Sequence, residues 1–172
     1  MPNPDKLKSF AIFYNPVFPN NINFMCANFY KYVSPNGVYG ANRINGLHSG
    51  IDISIPDLNV PIYAAVDGTV IEVNYDDIQG NYITLAHNSN NYTFYTRYLH
   101  LNNISSLLFN GISVKGGITV LGNMGSTGAV TAQCLHFEIR KNESPLLNDL
   151  NSSLIDYTFN PANYIPGFSN IC

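Results

Sequence analysis

The sequence contains few charged residues, and it has no excess of basic ones. Only 11% of its 172 residues are Asp, Glu, Lys or Arg, which is less than half of the usual share. Eight Lys and Arg against eleven Asp and Glu give a net charge of -3. Proteins that bind nucleic acid or an anionic membrane through their surface charge carry a basic patch instead. We therefore expect neither among the partners of this chain.

Long apolar runs are also absent. No stretch reaches the roughly 20 apolar residues that a membrane span needs, and the first residues lack the apolar segment of a secretory signal peptide. Three cysteines, Cys26, Cys134 and Cys172, are too few and too scattered for a disulfide framework or a paired-cysteine metal cluster. In an oxidising compartment, however, Cys26 and Cys172 could pair. A hydrophobic fraction of 45% supplies the core of one ordinary domain, so disorder is excluded as well.

The sequence does contain a series of short strand patterns separated by turns. We predict strands over 60–65, 69–73, 81–86, 92–98, 112–114, 118–121 and 134–140. The first two are expected to form a hairpin about Asp67-Gly68, and the third and fourth are expected to pair in antiparallel fashion. No window longer than about ten residues shows a 3.6-residue period, which predicts little helix. Evenly spaced strands with glycine-rich connections indicate an all-β sandwich or barrel.

The two ends of the chain differ from this middle part. Residues 1–40 mix proline, asparagine and aromatic residues, and we predict an irregular arm with one strand that packs on the rest. Residues 41–172 are predicted to form the main domain, so that the chain is a single globular unit overall. Within it, residues 142–160 are polar and read as a loop.

Histidines are the main candidates for chemistry. His48 and Asp52 are four residues apart, which in an extended chain separates their Cα atoms by roughly 13 Å. Gly50 would allow a bend that brings both side chains to one ion. On spacing alone, however, we favour a surface turn for this segment.

A second histidine lies in a strand with clean alternation. One face of this strand carries apolar residues and the other carries polar ones: Leu135, Phe137 and Ile139 against Cys134, His136 and Glu138. The polar face either builds a site or lies at a solvated surface. Two histidines and a carboxylate with an open fourth position would form a catalytic zinc site.

His87 and His100 lie at or near the ends of strand patterns. We interpret His87 as structural. Alternation places His100 on the same face as Tyr98, where an ordinary edge-strand histidine is the alternative to a chemical role.

The order of these motifs resembles the lysostaphin/LytM-type zinc endopeptidases. The matching stretches are HSGID at 48–52, AAVDGTV at 64–70, NYI at 81–83, YLHL at 98–101, GSTG at 125–128 and LHFEI at 135–139. Residues 160–165 resemble the closing segment of that family. The resemblance covers roughly residues 38–140 and this closing segment, and it leaves the amino-terminal arm and residues 142–158 unexplained.

The resemblance implies a compact antiparallel β-sandwich of the LytM type that cuts peptide stems or cross-bridges of bacterial peptidoglycan. It implies that His48, Asp52 and His136 hold one Zn²⁺, with a water at the open position. His100 would orient that water or stabilise the tetrahedral oxyanion. In the groove expected on the metal face, Tyr95 and Tyr98 are candidate wall residues.

One position departs from the family pattern. The strand at 134–140 normally begins His-x-His, and its first histidine is regarded as the general base, but here that residue is Cys134. A thiol with an ordinary pKa near 8.5 is mostly protonated at neutral pH, although next to Zn²⁺ its pKa should fall. Three outcomes are open: slower hydrolysis supported by His100 alone, an inactive zinc-containing module that binds cell-wall peptides or a protein partner, or a cysteine that ligates zinc as a redox-sensitive brake.

These expectations define the hypotheses about function. The first is a zinc endopeptidase, the second is an inactive binding module of the same fold, and the third is a sandwich whose histidines are only structural. Because wall peptides lie outside the cytoplasmic membrane, we expect the protein to act there after secretion, in the periplasm, on a phage particle or after injection. We expect it to act as a monomer.

Overall fold

A computed structural model describes residues 7–8, 11–44, 46–89, 92–141 and 152–168 of the chain. Most of the regular structure in these residues is β-strand, and the helix α1 spans Ile22–Tyr32. The strands are β1 (Asn42–Arg43), β2 (Gly46–Leu47), β3 (Ile51–Ile53), β4 (Pro61–Tyr63), β5 (Gly68–Asp76), β6 (Gly80–Ser89), β7 (Tyr92–Ile104), β8 (Ser113–Val114), β9 (Val120–Met124), β10 (Leu135–Lys141) and β11 (Thr158–Phe159). Short 3₁₀ turns lie at Pro35–Gly37, Ser152–Tyr157 and Pro161–Asn163. The predicted all-β class with little helix is confirmed.

The strands form antiparallel sheets. A two-stranded sheet joins β1 and β2, and a nine-stranded sheet runs in the order β11-β10-β7-β6-β5-β8. Additional strands join this path at two places, since β3 pairs with β10 and β9 pairs with both β4 and β7. The long strand β7 is therefore the centre of the sheet, with β6, β10 and β9 as neighbours.

Two predicted pairings have different outcomes. The β6–β7 hairpin is confirmed, with Leu85 opposite Thr96. The predicted hairpin about Asp67-Gly68 is wrong, because β4 pairs with β9 whereas β5 pairs with β6 and β8. The turn residues are local, but the partner of β4 lies about 60 residues away, so no local signal identifies it.

The amino-terminal arm contains the helix α1, which the sequence analysis did not predict. Met25 and Phe29 lie one turn apart, and both are buried in the same core cluster as the strand residues Phe137 and Ile139. Aromatic residues and asparagine are weak helix formers, so tertiary packing rather than propensity stabilises this segment. The prediction of an irregular arm with one strand is wrong for residues 22–32.

Part of the predicted loop at 142–160 lies outside the described residues, namely 142–151. The remainder is more regular than expected, because β11 pairs with β10 through Ile139 and Phe159. Cys172 and the side chain of Cys26 also lie outside the described part, so their pairing stays a prediction. No helix among the described residues is long and apolar enough to cross a bilayer.

Candidate metal centre

Three side chains that are distant in the chain converge beside β3 and β10. Asp52 lies in β3 directly opposite His136 of β10, and His48 follows β2 just ahead of them. Nε2 of His48 lies 3.0 Å from Nδ1 of His136 and 3.2 Å from Oδ1 of Asp52. Nδ1 of His136 lies 2.7 Å from the same carboxylate oxygen. The strand register and the turn before β3 thus bring together the three residues that the sequence singled out.

This arrangement fits a single divalent ion. One ligand atom from each residue lies within 4.8 Å of the others, and His48, Asp52 and His136 are the one such group found among the described residues. With mutual separations of 2.7–3.2 Å, a point about 2 Å from all three atoms exists. Two imidazoles and one carboxylate are a donor set that suits a divalent metal and leaves a coordination position open.

Each imidazole is oriented by a hydrogen bond on its outer nitrogen. Nδ1 of His48 donates to the carbonyl of Val38 over 2.9 Å, which leaves Nε2 facing the centre. Nε2 of His136 lies 3.0 Å from Oε1 of Glu138, which leaves Nδ1 facing the centre. Such outer hydrogen bonds fix the tautomer and the ring orientation of metal-binding histidines.

The Glu138 carboxylate is itself held firmly. Ser49 donates to its Oε1 over 2.6 Å, Nε of Arg140 donates to its Oε2 over 2.7 Å, and Nη1 of Arg97 lies 3.8 Å from Oε2. Burial alone would raise the pKa of Glu138, but Arg140, His136 and Arg97 outweigh it and hold the pKa well below its usual range. The predicted polar face of β10 therefore builds a buried site rather than a solvated surface.

Charges around Asp52 keep its carboxylate ionised. Burial would raise its pKa, but the contacts with His136 and His48 hold the pKa of Asp52 well below its usual range. Nη2 of Arg43 donates to the outer oxygen, Oδ2, over 2.5 Å, and the same group donates to the carbonyl of Asn36. Arg43 thus ties the β1–β2 hairpin to the carboxylate.

Gly50 is required here by close packing. A Cβ atom at this position would overlap the carbonyl oxygen of Phe137 and would lie 2.9 Å from Nε2 of His136. The segment between His48 and Asp52 therefore runs beside β10 at a distance that only glycine permits. Gly50 was predicted to matter for a different reason, namely the bend that glycine allows.

His100 lies beside the three-residue centre. Its ring centroid is 6.2 Å from that of His136, and its Nδ1 donates to the carbonyl of Thr127 over 3.0 Å. Its backbone has φ 64, a left-handed conformation that is rare for a residue with a side chain. Burial first, and the nearby His136 second, lower the pKa of His100 to about 4. At neutral pH the ring is therefore uncharged.

Cys134 precedes β10 and forms an isolated bridge with Gly125. It is half-buried and is a free thiol. Burial and then the nearby Asp52 carboxylate raise its pKa to about 12, and they outweigh Arg43, which acts in the opposite direction. The expected fall in this pKa concerns the metal-loaded protein and stays a prediction.

The two groove candidates lie in different environments. Tyr98 is fully buried, its ring packs on Phe137, and its hydroxyl accepts from the backbone N–H of Ala65. The prediction that Tyr98 lines a groove is therefore wrong. Tyr95 is half-buried and pairs with Arg140 across β7 and β10, and its place in a groove stays a prediction.

The structural role predicted for His87 agrees with its environment. Its Nδ1 lies 2.9 Å from the carbonyl of Asp67 and its Nε2 lies 2.8 Å from Oγ1 of Thr96, inside the core. Burial lowers its pKa to about 4.

Comparisons with known proteins identify the family. Residues 46–147 match the family model described as Peptidase family M23, and the chain belongs to that family. The match includes His48, Asp52, His100, Cys134 and His136. The predicted resemblance is confirmed.

Solved structures of similar fold are peptidases. A zinc containing peptidase from Vibrio cholerae has a TM-score of 0.57 and 31% identity, covering 74% of this chain and 36% of that chain. The catalytic domain of lysostaphin, an antimicrobial peptidase from Staphylococcus simulans, has a TM-score of 0.58 and 26% identity, covering 72% of this chain and 85% of that chain.

Curated relatives carry names that describe action on the cell wall. The peptidoglycan DD-endopeptidase ShyC of Vibrio cholerae is 40% identical over 95 residues, which is 55% of this chain and 20% of that protein. The DD-carboxypeptidase/endopeptidase Mpg of Neisseria meningitidis is 35% identical over 100 residues, which is 58% of this chain and 21% of that protein. The match spans about a fifth of the length of these relatives.

Proposed function

We propose that this chain is a zinc-dependent endopeptidase that hydrolyses peptide stems or cross-bridges of bacterial peptidoglycan. The observation that carries the proposal is the convergence of His48, Asp52 and His136 on one point in a chain of the M23 family. The names of its peptidoglycan-cleaving relatives support the substrate. Such a substrate places the site of action outside the cytoplasmic membrane.

The three converging residues would hold the ion through Nε2 of His48, Oδ1 of Asp52 and Nδ1 of His136. When bound, zinc polarises the scissile carbonyl and lowers the pKa of a bound water to about 7. Glu138 and Val38 keep the two imidazole lone pairs directed at the centre. The protein contribution is thus a rigid, three-donor site with an open position.

We assign to His100 the transfer of a proton from the attacking water. Because the carbonyl of Thr127 can only accept, Nδ1 of His100 carries the proton and Nε2 presents a lone pair. A neutral imidazole of this tautomer accepts a hydrogen bond from a water molecule and orients it for attack. The proton that Nε2 takes from this water would then pass to the leaving amine.

Cys134 favours a second candidate function, an inactive zinc-containing module that binds wall peptides or a protein partner. A thiol with its pKa raised to about 12 cannot act as a proton acceptor at neutral pH. Loss of general-base assistance typically costs about 10²–10⁴-fold in rate. The third alternative is that the Cys134 thiolate ligates the ion at its open position and blocks activity until the thiol is oxidised.

Release of soluble muropeptides from purified sacculi tests the proposal. The parent, Cys134→His and Asp52→Ala proteins are incubated with sacculi that have direct cross-links and with sacculi that have glycine cross-bridges. We expect slow release by the parent, release raised about 10-fold or more by Cys134→His, and none by Asp52→Ala.

The other outcomes are equally informative. Release by Cys134→His alone would make the natural chain the inactive module. If neither protein cuts either type of wall, while both sediment with sacculi, the binding function replaces the enzymatic one.

A further inference from the structure

We propose that Arg97 is a positioning residue that sets the placement of the metal ligand His136 and of His100 relative to each other. The proposal rests on the roles given to those two histidines under the proposed function. Among the described residues, the hydrogen bonds and ion pairs of Arg97 go to other groups than these two histidines. Arg97 contacts instead Glu138, which orients the ring of His136, and Gln79, which binds the backbone of His100.

The first contact leads to the metal centre. Nη1 of Arg97 lies 3.8 Å from Oε2 of Glu138, directly across the β7–β10 ladder. The other oxygen of this carboxylate lies 3.0 Å from Nε2 of His136. A shift of the Glu138 carboxylate therefore rotates the imidazole whose Nδ1 faces the ion.

The second contact leads to His100. Nη2 of Arg97 donates a short hydrogen bond to the side-chain oxygen of Gln79. The backbone carbonyl of the same glutamine accepts from the backbone N–H of His100 over 2.9 Å. Because a left-handed backbone is strained for a residue with a side chain, the conformation of His100 depends on such contacts.

Arg97 is itself held without freedom. It is only 2% exposed, its Nε donates to Oγ1 of Thr84 over 3.2 Å, and its guanidinium lies 4.9 Å from the ring centre of Tyr82. The three guanidinium nitrogens thus each contact a different partner: Glu138, Gln79 or Thr84. A planar guanidinium can make these three contacts at once, whereas the single ammonium of lysine cannot.

Two other residues provide matched controls, because one contacts the Glu138 carboxylate and the other contacts the backbone of His100. Arg140 donates to Oε2 of Glu138 over 2.7 Å from the position opposite Tyr95. Gln79 is anchored to Asp76, which accepts from its backbone N–H over 2.6 Å. Arg140→Gln should therefore disturb the metal side, and Gln79→Met should disturb the His100 side.

The experiment measures both sides separately in the full chain. Zinc affinity is measured by competition with a chelator, and the ring ¹⁵N chemical shifts of His100 are measured by NMR. We expect Arg97→Gln to lower zinc affinity about 10- to 100-fold and also to shift the His100 ring signals. Arg140→Gln should change only the affinity, and Gln79→Met should change only the His100 signals.

Turnover adds a third measurement if the parent cuts sacculi. At saturating zinc, kcat of Arg97→Gln should still be at least about 10-fold below that of the parent, because excess metal does not restore His100. Should the parent prove inactive, the proposed function fails, but affinity and ring shifts still decide the role of Arg97.

Folding is checked by circular dichroism, and Arg97→Lys replaces the glutamine variant if the latter does not fold. The lysine variant keeps the charge but not the fork, so both readouts should still change. Zinc affinity and His100 signals equal to those of the parent in a folded Arg97 variant would overturn the proposal.

Discussion

At the scale of single residues, the centre is defined by what holds each ligand in place. The ring of His48 is fixed by a backbone carbonyl, and that of His136 is fixed by a buried carboxylate. Asp52 is fixed by Arg43, whose side chain is 39% exposed at the outer side of the centre. Of these partners, only Glu138 stood out in the sequence, through the alternation of β10. Arg43 carries no local signal, because its role depends on a hairpin that folds back to β3.

Replacing Arg43 with glutamine should weaken metal binding without unfolding the protein. The substitution frees Oδ2 of Asp52, and the loss of an outer-sphere contact typically costs about 10-fold or more in metal affinity. Chelator competition measures the effect. Lys115→Gln is the matched control, since Lys115 is exposed and pairs with Asp67 instead. Equal affinities of the Arg43 variant and the parent would show that the ion pair does not support the ligand.

His87 should make folding stability sensitive to acid. Its pKa is lowered to about 4 in the folded protein, so the unfolded chain takes up its proton first, near pH 6.5. The contribution of neutral His87 to the free energy of unfolding is fully present above about pH 6.5. It is lost as the pH falls toward 4, by about 3 kcal/mol. Urea unfolding between pH 7.5 and 4 measures it. A His87→Gln variant should be less stable at neutral pH but show a flatter decline, and parallel curves for the two proteins would refute this assignment.

At the scale of the elements, the site depends on how closely the neighbouring strands β3 and β7 pack beside β10. β10 presents alternate residues to opposite sides, so that Phe137 packs on Tyr98 while His136 faces the centre near His100. Simple alternation along β7 would place Tyr98 and His100 on one face. The left-handed φ of His100 breaks that alternation, which explains why the prediction for Tyr98 failed. Backbone irregularities of this kind cannot be read from spacing.

Gly50→Ala should disable the centre more than it disables folding. The added Cβ would displace β10 or the ring of His136, which moves Nδ1 away from the other two ligand atoms. We expect zinc affinity to fall by at least about 10-fold. Gly111→Ala is the control, because this glycine has a positive φ but nothing near its Cβ position. Gly111→Ala should lower the thermal unfolding midpoint and leave zinc affinity unchanged. The same result for Gly50→Ala would count against a role of Gly50 in the metal centre.

At the scale of the whole molecule, the strand patterns predicted most of the sheet, and the motifs predicted the three converging residues. Strands β5, β6 and β7 were predictable because β-branched and aromatic residues alternate there between clear turns. Long-range pairing was not, as β4 and β9 show. The helix α1 was missed because its buried residues Met25, Phe29 and Tyr32 form a pattern too short to separate from chance.

Because the arm and the sheet share one core, a change in the arm should destabilise the whole protein. Met25 is fully buried, and Met25→Ala should cost about 2–5 kcal/mol. Far-ultraviolet circular dichroism and tyrosine fluorescence should report one coincident unfolding transition with a lowered urea midpoint. Asn23→Ala, at an exposed position of the same helix, should stay within about 0.5 kcal/mol of the parent. An unchanged main transition in the Met25 variant would mean that the arm is a separate unit.

The proposed function requires that two imidazoles and one carboxylate of this chain bind one zinc ion. A crystal structure of the zinc-loaded protein, with anomalous diffraction recorded on both sides of the zinc absorption edge, tests it most directly. We expect a single strong peak about 2.0–2.2 Å from Nε2 of His48, Oδ1 of Asp52 and Nδ1 of His136. A peak elsewhere, or none in crystals grown with excess zinc, would contradict it.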